Sequence, residues 1–165
     1  HIREKEFQEA EAMAAKAYAM DSLNPAVLLE YGNVFYLRNK TRISRDSWEN
    51  CITLDPDQIE CRMKLAELYL TVGELQLCLT QLDEVLKINN IDSVQLTGHT
   101  DSDGDDASNM TLSKARGKSV MDKLISMGIS SNRLKSDGFG ESKPIANNST
   151  PEGKANNRRV EFVKF

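Results

Sequence analysis

The 165-residue sequence predicts a two-part fold, in which antiparallel helical hairpins precede a small α/β sandwich with a mixed sheet and helices on one face. Three observations lead to this prediction. Apolar and small residues repeat every 34 positions in the first half, and short segments of alternating polarity flank one long helical segment in the second half. The composition also changes near residue 90. We therefore expect a helical part at 1–90 and a mixed part at 91–165.

The composition is that of a folded protein. Apolar residues make up 39% and charged residues 28% of the chain, and the mean hydropathy is −0.49. No apolar run approaches the roughly 20 residues of a membrane span, so no transmembrane segment is expected. The net charge of −4 argues against nucleic acid as a partner. Because the chain begins at His1 and not at Met, we expect a fragment or a processed form.

The distributions of charged residues and of glycines along the chain place the boundary between the two parts near Asn89–Asn90. Residues 1–90 contain 10 basic and 15 acidic residues and only two of the nine glycines. Residues 91–165 contain 11 basic and 10 acidic residues and the other seven glycines. A shift of this kind is typical of two modules joined in one chain.

The first part contains an internal repeat. Residues 29–36 align with 63–70 after a step of 34, which matches Gly32 with Ala66. This pattern resembles the tetratricopeptide (TPR) family over about 4–89, with half a unit followed by full units at 25–56 and 59–89. The resemblance implies stacked helical hairpins with a groove that binds a protein partner, and a spacer role is the alternative.

The three cysteines, Cys51, Cys61 and Cys78, fall at small-residue positions of the helical pattern. An odd number without a short pairing distance is not typical of a disulfide framework. We therefore expect buried small apolar residues, and a redox or metal role is the alternative.

The second part reads as strand, helix, strand, strand. Residues 91–98 alternate in polarity, and a polar loop follows at 99–108. A helix is predicted from Asn109 to Met127, where Gly128 ends it. A weaker strand is predicted at 132–138 and a last strand at 159–165. This order predicts the α/β sandwich.

Many ordered motifs lie in this part. They are Gly98-His99-Thr100-Asp101, Gly104, Asn109, Leu112-Ser113, Arg116, Gly138-Phe139-Gly140-Glu141, Pro144, Asn148, Thr150, Gly153 and the run from Asn157 to Phe162. Together they resemble the OmpA-like C-terminal domain family over about 91–165. The resemblance implies peptidoglycan binding in a periplasmic, outer-membrane-associated envelope protein that is not an enzyme and needs no cofactor or metal.

The resemblance also implies a ligand site. In that family an Asp and an Arg hold the diaminopimelate of the peptidoglycan stem peptide, and Asp101 and Arg116 match these positions. A carboxylate and a guanidinium together satisfy the ammonium and carboxylate of diaminopimelate. The alternative is that the two side chains pair with each other or with solvent.

Three further residues are candidates for the same site, each with an alternative. Thr100 binds ligand or shapes the loop, Asn109 faces the pocket or caps the helix, and Arg158 lies near the ligand or forms a surface ion pair. Leu112 and Ser113 are expected to pack and orient the helix.

Other chemistries fit the sequence poorly. The Asp-rich loop from Asp101 resembles a calcium loop, but Asp106 stands where glycine is required and Leu112 where glutamate is required. Around His1 and His99, the only histidines, no nucleophile–base set is visible. A wall hydrolase would therefore need activity without a visible catalytic set.

One departure from the family leaves a second function open. The family usually begins with a strand and a helix, whereas here the helical segment 74–88 directly precedes the first strand. Three explanations remain open. This segment also serves as the first helix of the second part, the first strand comes from elsewhere, or residues between the two parts are absent from this chain. The alternative function is a protein–protein scaffold whose OmpA-like part no longer binds the wall.

Overall fold

The computed structural model describes residues 2–88 and 91–164, with side chains from Lys5 onward. Its elements are α1 (Ile2–Met20), α2 (Pro25–Leu37), α3 (Thr41–Leu54), α4 (Ile59–Thr71), α5 (Leu75–Lys87), β1 (Val94–Gly98), α6 (Asp106–Ser126), β2 (Leu134–Gly138), α7 (Pro151–Asn157) and β3 (Val160–Lys164). The boundary expected at Asn89–Asn90 and the end of the last predicted strand, Phe165, lie outside the described residues.

Helices α1 to α5 form a stack in which each helix packs against the next. The predicted units 25–56 and 59–89 correspond to the pairs α2–α3 and α4–α5. A side chain on Gly32 would place its Cβ 2.2 Å from Nε1 of Trp48, so the glycine allows α2 and α3 to approach closely. Gly32, one of the small residues of the 34-residue pattern, therefore lies at a close contact between two helices.

The interpretation of two cysteines was wrong. Cys51 and Cys61 are buried, as expected, but they form a disulfide that joins the last turn of α3 to the first turn of α4. The short connection between these antiparallel helices brings the two Cα atoms to 6.5 Å, a pairing distance that the linear spacing does not reveal. Cys78 is a buried free thiol, as expected.

The sheet is mixed and has the order β2–β1–β3. Strand β1 pairs in parallel with β2 and antiparallel with β3, so that Leu96 lies beside Ser136 on one side and Phe162 on the other. Helix α6 packs on β1 and β2. The predicted fold class is therefore confirmed. Helix α7 was not predicted, although Thr150 caps it by accepting from the Gly153 N–H at 3.0 Å and Pro151 opens it.

The helical stack and the sheet share one buried core. Leu65 and Leu82 of the stack belong to the same apolar cluster as Leu96 and Phe162 of the sheet. Outside that core, the guanidinium of Arg133 donates to the carbonyl oxygens of Leu86, Ile91 and Asp92 at 2.5 to 2.9 Å. These bonds hold the segment that leads into β1 against the end of α5. Within the described ranges, no helix has the length and apolarity needed to cross a membrane.

Candidate functional site

The candidate site lies at the carboxyl end of β1, where α6 passes close over the sheet. A Cβ on Gly98 would come within 1.9 Å of the Ser113 carbonyl oxygen, and a Cβ on Gly117 within 2.7 Å of the Asp137 carbonyl oxygen. These glycines let the backbone of α6 lie almost directly on β1 and β2. As a result, the side chains of the first half of α6 reach the loop that follows β1.

Asp101 is the buried carboxylate of the site, with 7% of its surface exposed. One carboxylate oxygen accepts from the backbone N–H of Asp103 at 3.2 Å. The other accepts from Nη1 of Arg158 at 2.6 Å. The hydrogen bond from Arg158 is the largest influence lowering the pKa of Asp101, so this carboxylate is ionised at neutral pH.

Arg116 is half-buried on α6, and its guanidinium donates to the backbone carbonyl oxygen of His99. Burial lowers its pKa and nearby Arg158 adds to this effect, although an arginine stays charged at any relevant pH. Within the described ranges, Arg116 forms no ion pair with a carboxylate. The cation that pairs with Asp101 is Arg158, one residue beyond α7.

Asn109 does not cap the helix. Helix α6 begins three residues earlier than predicted because Asp105 caps it, accepting from the Ser108 N–H at 3.0 Å. The buried amide of Asn109 instead donates to the Asp101 carbonyl oxygen at 3.4 Å and to Oε2 of Glu141 at 2.5 Å. It therefore ties the Asp101 loop to the turn after β2.

Thr100 is buried between the same two loops. Its backbone N–H donates to the Gly140 carbonyl oxygen at 2.9 Å. Its hydroxyl has no hydrogen-bond partner in the part of the chain that the structure describes. Ser113 fixes the other side of this turn, because its hydroxyl accepts from the Gly140 N–H at 2.8 Å. Ser113 thus orients the helix as expected, whereas Leu112 is half-exposed and does not pack as expected.

Helix α7 and the residue directly after it supply two cations to the loop after β1. Besides the Arg158 pair with Asp101, Nζ of Lys154 lies 2.7 Å from a carboxylate oxygen of Asp103. The end of α7 is fixed by Asn157, which is fully buried and makes four side-chain hydrogen bonds within 145–148. Sequence reasoning missed Lys154 and the anchoring role of Asn157. The Thr150-Pro151 pair is a helix-start signal that would have indicated α7.

A second charged group lies beneath the site. His99 is buried, stacks on Phe139, and places Nε2 3.5 Å from Oε2 of Glu161. Arg159 donates to the other oxygen of Glu161 at 2.7 Å. Proximity to His99 and to Arg159 lowers the pKa of Glu161 to about 2. The backbone N–H of His99 donates to the Arg159 carbonyl oxygen at 2.9 Å, which joins the start of the Asp101 loop to the start of β3.

The described residues contain no group of three His, Cys, Asp or Glu side chains placed to hold a metal ion. The acidic loop instead uses its carboxylates locally. Asp101 pairs with Arg158, Asp103 with Lys154, and Asp105 caps α6.

The model of the OmpA family matches residues 75–158, a little over half of the chain. The chain belongs to the OmpA family. The match starts at Leu75, so it includes α5 together with strands β1 and β2, and it ends directly after α7 and before β3. All five predicted site residues fall inside it.

Relatives of this OmpA-family chain match about half of it or somewhat less. It is 47% identical over 85 residues to the probable lipoprotein YiaD of Escherichia coli, covering 52% of this chain and 39% of that protein. It is 44% identical over 70 residues to the peptidoglycan-binding protein ArfA of Mycobacterium tuberculosis, covering 42% of this chain and 22% of ArfA. The chain thus spans about two fifths of the first relative and about one fifth of the second.

A solved structure supports the fold. The peptidoglycan-associated lipoprotein from Burkholderia pseudomallei superposes with a TM-score of 0.50 and 26% sequence identity, covering 56% of this chain and 78% of that one.

Proposed function

We propose that this chain anchors an envelope protein or complex to the cell wall by binding the diaminopimelate of the peptidoglycan stem peptide. Binding is non-covalent, and the chain acts as a binding module and not as an enzyme. Asp101 accepts the ligand ammonium and Arg116 donates to the ligand carboxylate. The names of ArfA and of the Burkholderia lipoprotein both refer to peptidoglycan, which supports this class of ligand.

The observation that carries the proposal is the charge balance at the end of β1. The guanidinium of Arg116 is half-buried and bonded to a neutral carbonyl group, and the buried carboxylate of Asp101 interacts with it electrostatically. Among the described residues Arg116 forms no ion pair of its own, and a partly desolvated cation of this kind favours an anionic ligand group. A ligand that offers an ammonium and a carboxylate together is complementary to both side chains.

The other predicted residues have separate roles in this proposal. The unpartnered hydroxyl of Thr100 is available to a ligand group. Asn109 acts by holding the Asp101 loop in place, because its amide already has two internal acceptors. Arg158 contacts the Asp101 carboxylate directly and is half-exposed.

The remainder of the proposal concerns the helical part. We assign 1–90 to a TPR-like module that binds a protein partner and 91–165 to the wall-binding domain. Helix α5 lies in the first range and also falls within the OmpA-family match. Part of the helical surface is covered within the chain, because α4 packs against β3. A partner would therefore use the remaining helical surface. The disulfide between Cys51 and Cys61 supports a periplasmic, outer-membrane-associated location, since disulfides persist in oxidising compartments.

Co-sedimentation with purified sacculi tests the wall-binding proposal. We expect the 165-residue chain to pellet with sacculi that contain diaminopimelate and to pellet less with sacculi that contain lysine at that position. Asp101→Ala and Arg116→Ala should each weaken binding at least about 30-fold, because each leaves a ligand charge unpaired. Circular dichroism checks that the variants are folded.

The exposed ion pair between Lys118 and Asp122 on α6 provides matched controls. Lys118→Ala and Asp122→Ala make the same charge changes outside the site and should bind like the wild type. If all four variants bind equally, the assigned site is wrong even though the chain binds the wall.

A scaffold that no longer binds the wall is the second candidate function. It is favoured by the pairing of Asp101 with Arg158, which already satisfies the carboxylate meant for the ligand. A wild-type chain that stays in the supernatant with diaminopimelate sacculi would favour this function over wall anchoring.

A further inference from the structure

The carboxylate proposed to receive the ligand ammonium is already paired with a cation of the chain. Arg158 lies 2.6 Å from one oxygen of Asp101, and the Asp103 N–H engages the other oxygen. One buried negative charge does not neutralise two cations. A ligand ammonium on Asp101 therefore competes with Arg158 for this single negative charge, and departure of Arg158 relieves the competition.

Departure of Arg158 is compatible with the local structure. Its side chain is 46% exposed, so it can move without opening the core. The buried side chain of Asn157 holds the preceding backbone in place. The neighbouring pair between Lys154 and Asp103 continues to tie α7 to the loop while Arg158 moves.

The released guanidinium changes the charge of the site. The positive charge of Arg158 already contributes to the lowered pKa of Arg116, after burial. With Asp101 given over to a ligand ammonium, two adjacent guanidinium groups would lack a counter-ion. A carboxylate on the same ligand supplies that counter-ion, and guanidinium groups bind carboxylates with two parallel hydrogen bonds.

We propose that ligand binding at this site is a counter-ion exchange, in which the ligand ammonium replaces Arg158 on Asp101 and Arg158 joins Arg116 at the ligand carboxylate. This inference rests on the proposed function and extends it. It makes Arg158 a specificity-determining residue, because a ligand with an ammonium but no carboxylate would displace Arg158 without compensating it. Specificity then arises from a penalty on the wrong ligand as well as from contacts to the right one.

The exchange predicts that removal of Arg158 changes the selectivity between ligands, whereas a tethering role for Arg158 predicts weaker binding of every ligand. If Arg158 only holds the loop, its removal weakens every ligand by a similar factor. If it exchanges, its removal weakens a zwitterionic ligand and strengthens a simple amine. The ratio of the two affinities therefore separates the two roles.

The test is a titration of the 165-residue chain with meso-diaminopimelate and with 1,5-diaminopentane, which lacks both carboxylates, followed by NMR chemical shifts of the loop after β1. We expect the wild type to prefer diaminopimelate. Arg158→Gln should lower this preference by roughly tenfold or more, through weaker diaminopimelate binding and tighter diamine binding. Lys118→Gln makes the same change of charge at the exposed pair with Asp122 outside the site, and the preference should then stay at the wild-type value.

Arg158→Lys extends the test, since it keeps the charge but not the two parallel hydrogen bonds, so the preference should fall only part of the way, and this variant remains informative if Arg158→Gln fails to fold. The exchange is overturned if Arg158→Gln weakens the affinity for both ligands equally. It is also overturned if every folded variant shows the same preference between them. Pelleting of the wild type with sacculi in that case leaves the wall-binding function intact. A wild type that neither pellets nor binds diaminopimelate would overturn both.

Discussion

The backbone N–H of Phe162 donates to the buried carboxylate of Glu67 at 2.8 Å and thereby joins β3 to α4. Phe162 belongs to the edge strand of the sheet, so this N–H faces away from β1. The other oxygen of Glu67 accepts from Nζ of Lys64 at 2.8 Å. The helical stack therefore satisfies a polar group that an open sheet edge would leave unpaired. It also connects the helices to the strand that follows the candidate site.

Removal of the Glu67 carboxylate should destabilise the whole chain. Glu67→Ala leaves the Phe162 N–H and the Lys64 ammonium without their acceptor, and the expected loss in the free energy of unfolding is about 2–3 kcal/mol. Glu67→Gln keeps an oxygen that can accept from Phe162 and should cost less. Urea unfolding followed by circular dichroism measures both losses.

Asp83→Ala is the control for this comparison, because Asp83 pairs with Lys87 on the exposed surface of α5. Its expected effect is below about 0.5 kcal/mol. Equal stability of the wild type and Glu67→Ala would mean that α4 and β3 are not coupled through this carboxylate.

Reduction of the disulfide between Cys51 and Cys61 should also lower stability. The bridge closes a short loop between two residues with a sequence separation of 10. Because it restricts the unfolded chain, closure of such a loop adds about 3 kcal/mol to the free energy of unfolding. We expect a reductant to shift the urea midpoint of the wild type and to leave Cys51→Ala/Cys61→Ala unchanged. Thiol labelling in denaturant without reductant should find one thiol, that of Cys78. Three reactive thiols would contradict the bridge.

Acid should weaken the fold through Glu161. Its pKa falls from 4.5 to about 2 in the folded chain, because of His99 first and Arg159 second. Since the folded pKa lies below the unfolded one, this stabilisation is present above about pH 4.5 and is lost as the pH falls towards 2. Glu161→Gln should cost about 2 kcal/mol at pH 6 and little at pH 2. Urea unfolding across this pH range measures the difference.

Glu30→Gln, at an exposed position of α2, is the control for the same pH series. Its difference from the wild type should stay nearly constant from pH 6 to pH 2. A difference between the wild type and Glu161→Gln that does not change with pH would show that the ion pair beneath the site does not contribute to acid sensitivity.

Regular periodicity made most of the fold predictable. The 34-residue repeat located the two full helical hairpins, and alternation of polarity located the three strands to within three residues at their ends. The short helix α7 was missed because its signal is a cap and a proline, with no apolar face of its own. The Cys51–Cys61 bridge was missed because it depends on the angle at which α3 and α4 meet.

The chemistry of the site was less predictable than its location. The resemblance brought Asp101, Arg116 and Arg158 to one end of the sheet, and they do lie there. The sequence does not reveal that Asp101 pairs with Arg158 and not with Arg116, because this choice depends on the placement of α7. It also does not reveal that Asp105, rather than Asn109, caps α6, since both side chains are suitable caps.

The close passage of α6 over the sheet should matter for binding as well as for stability. A Cβ at Gly117 would lie 2.7 Å from the Asp137 carbonyl oxygen and 3.0 Å from that of Leu96, so Gly117→Ala must push α6 outward and displace the neighbouring Arg116. We expect a loss of about 1–3 kcal/mol in stability and of at least tenfold in sacculus binding. Gly128→Ala is the matched control, because Gly128 has a positive φ of 117° and no atom near its Cβ position. It should cost about 1 kcal/mol in stability and leave binding unchanged. A folded Gly117→Ala chain that pellets like the wild type would contradict the assignment of Arg116 to the ligand site.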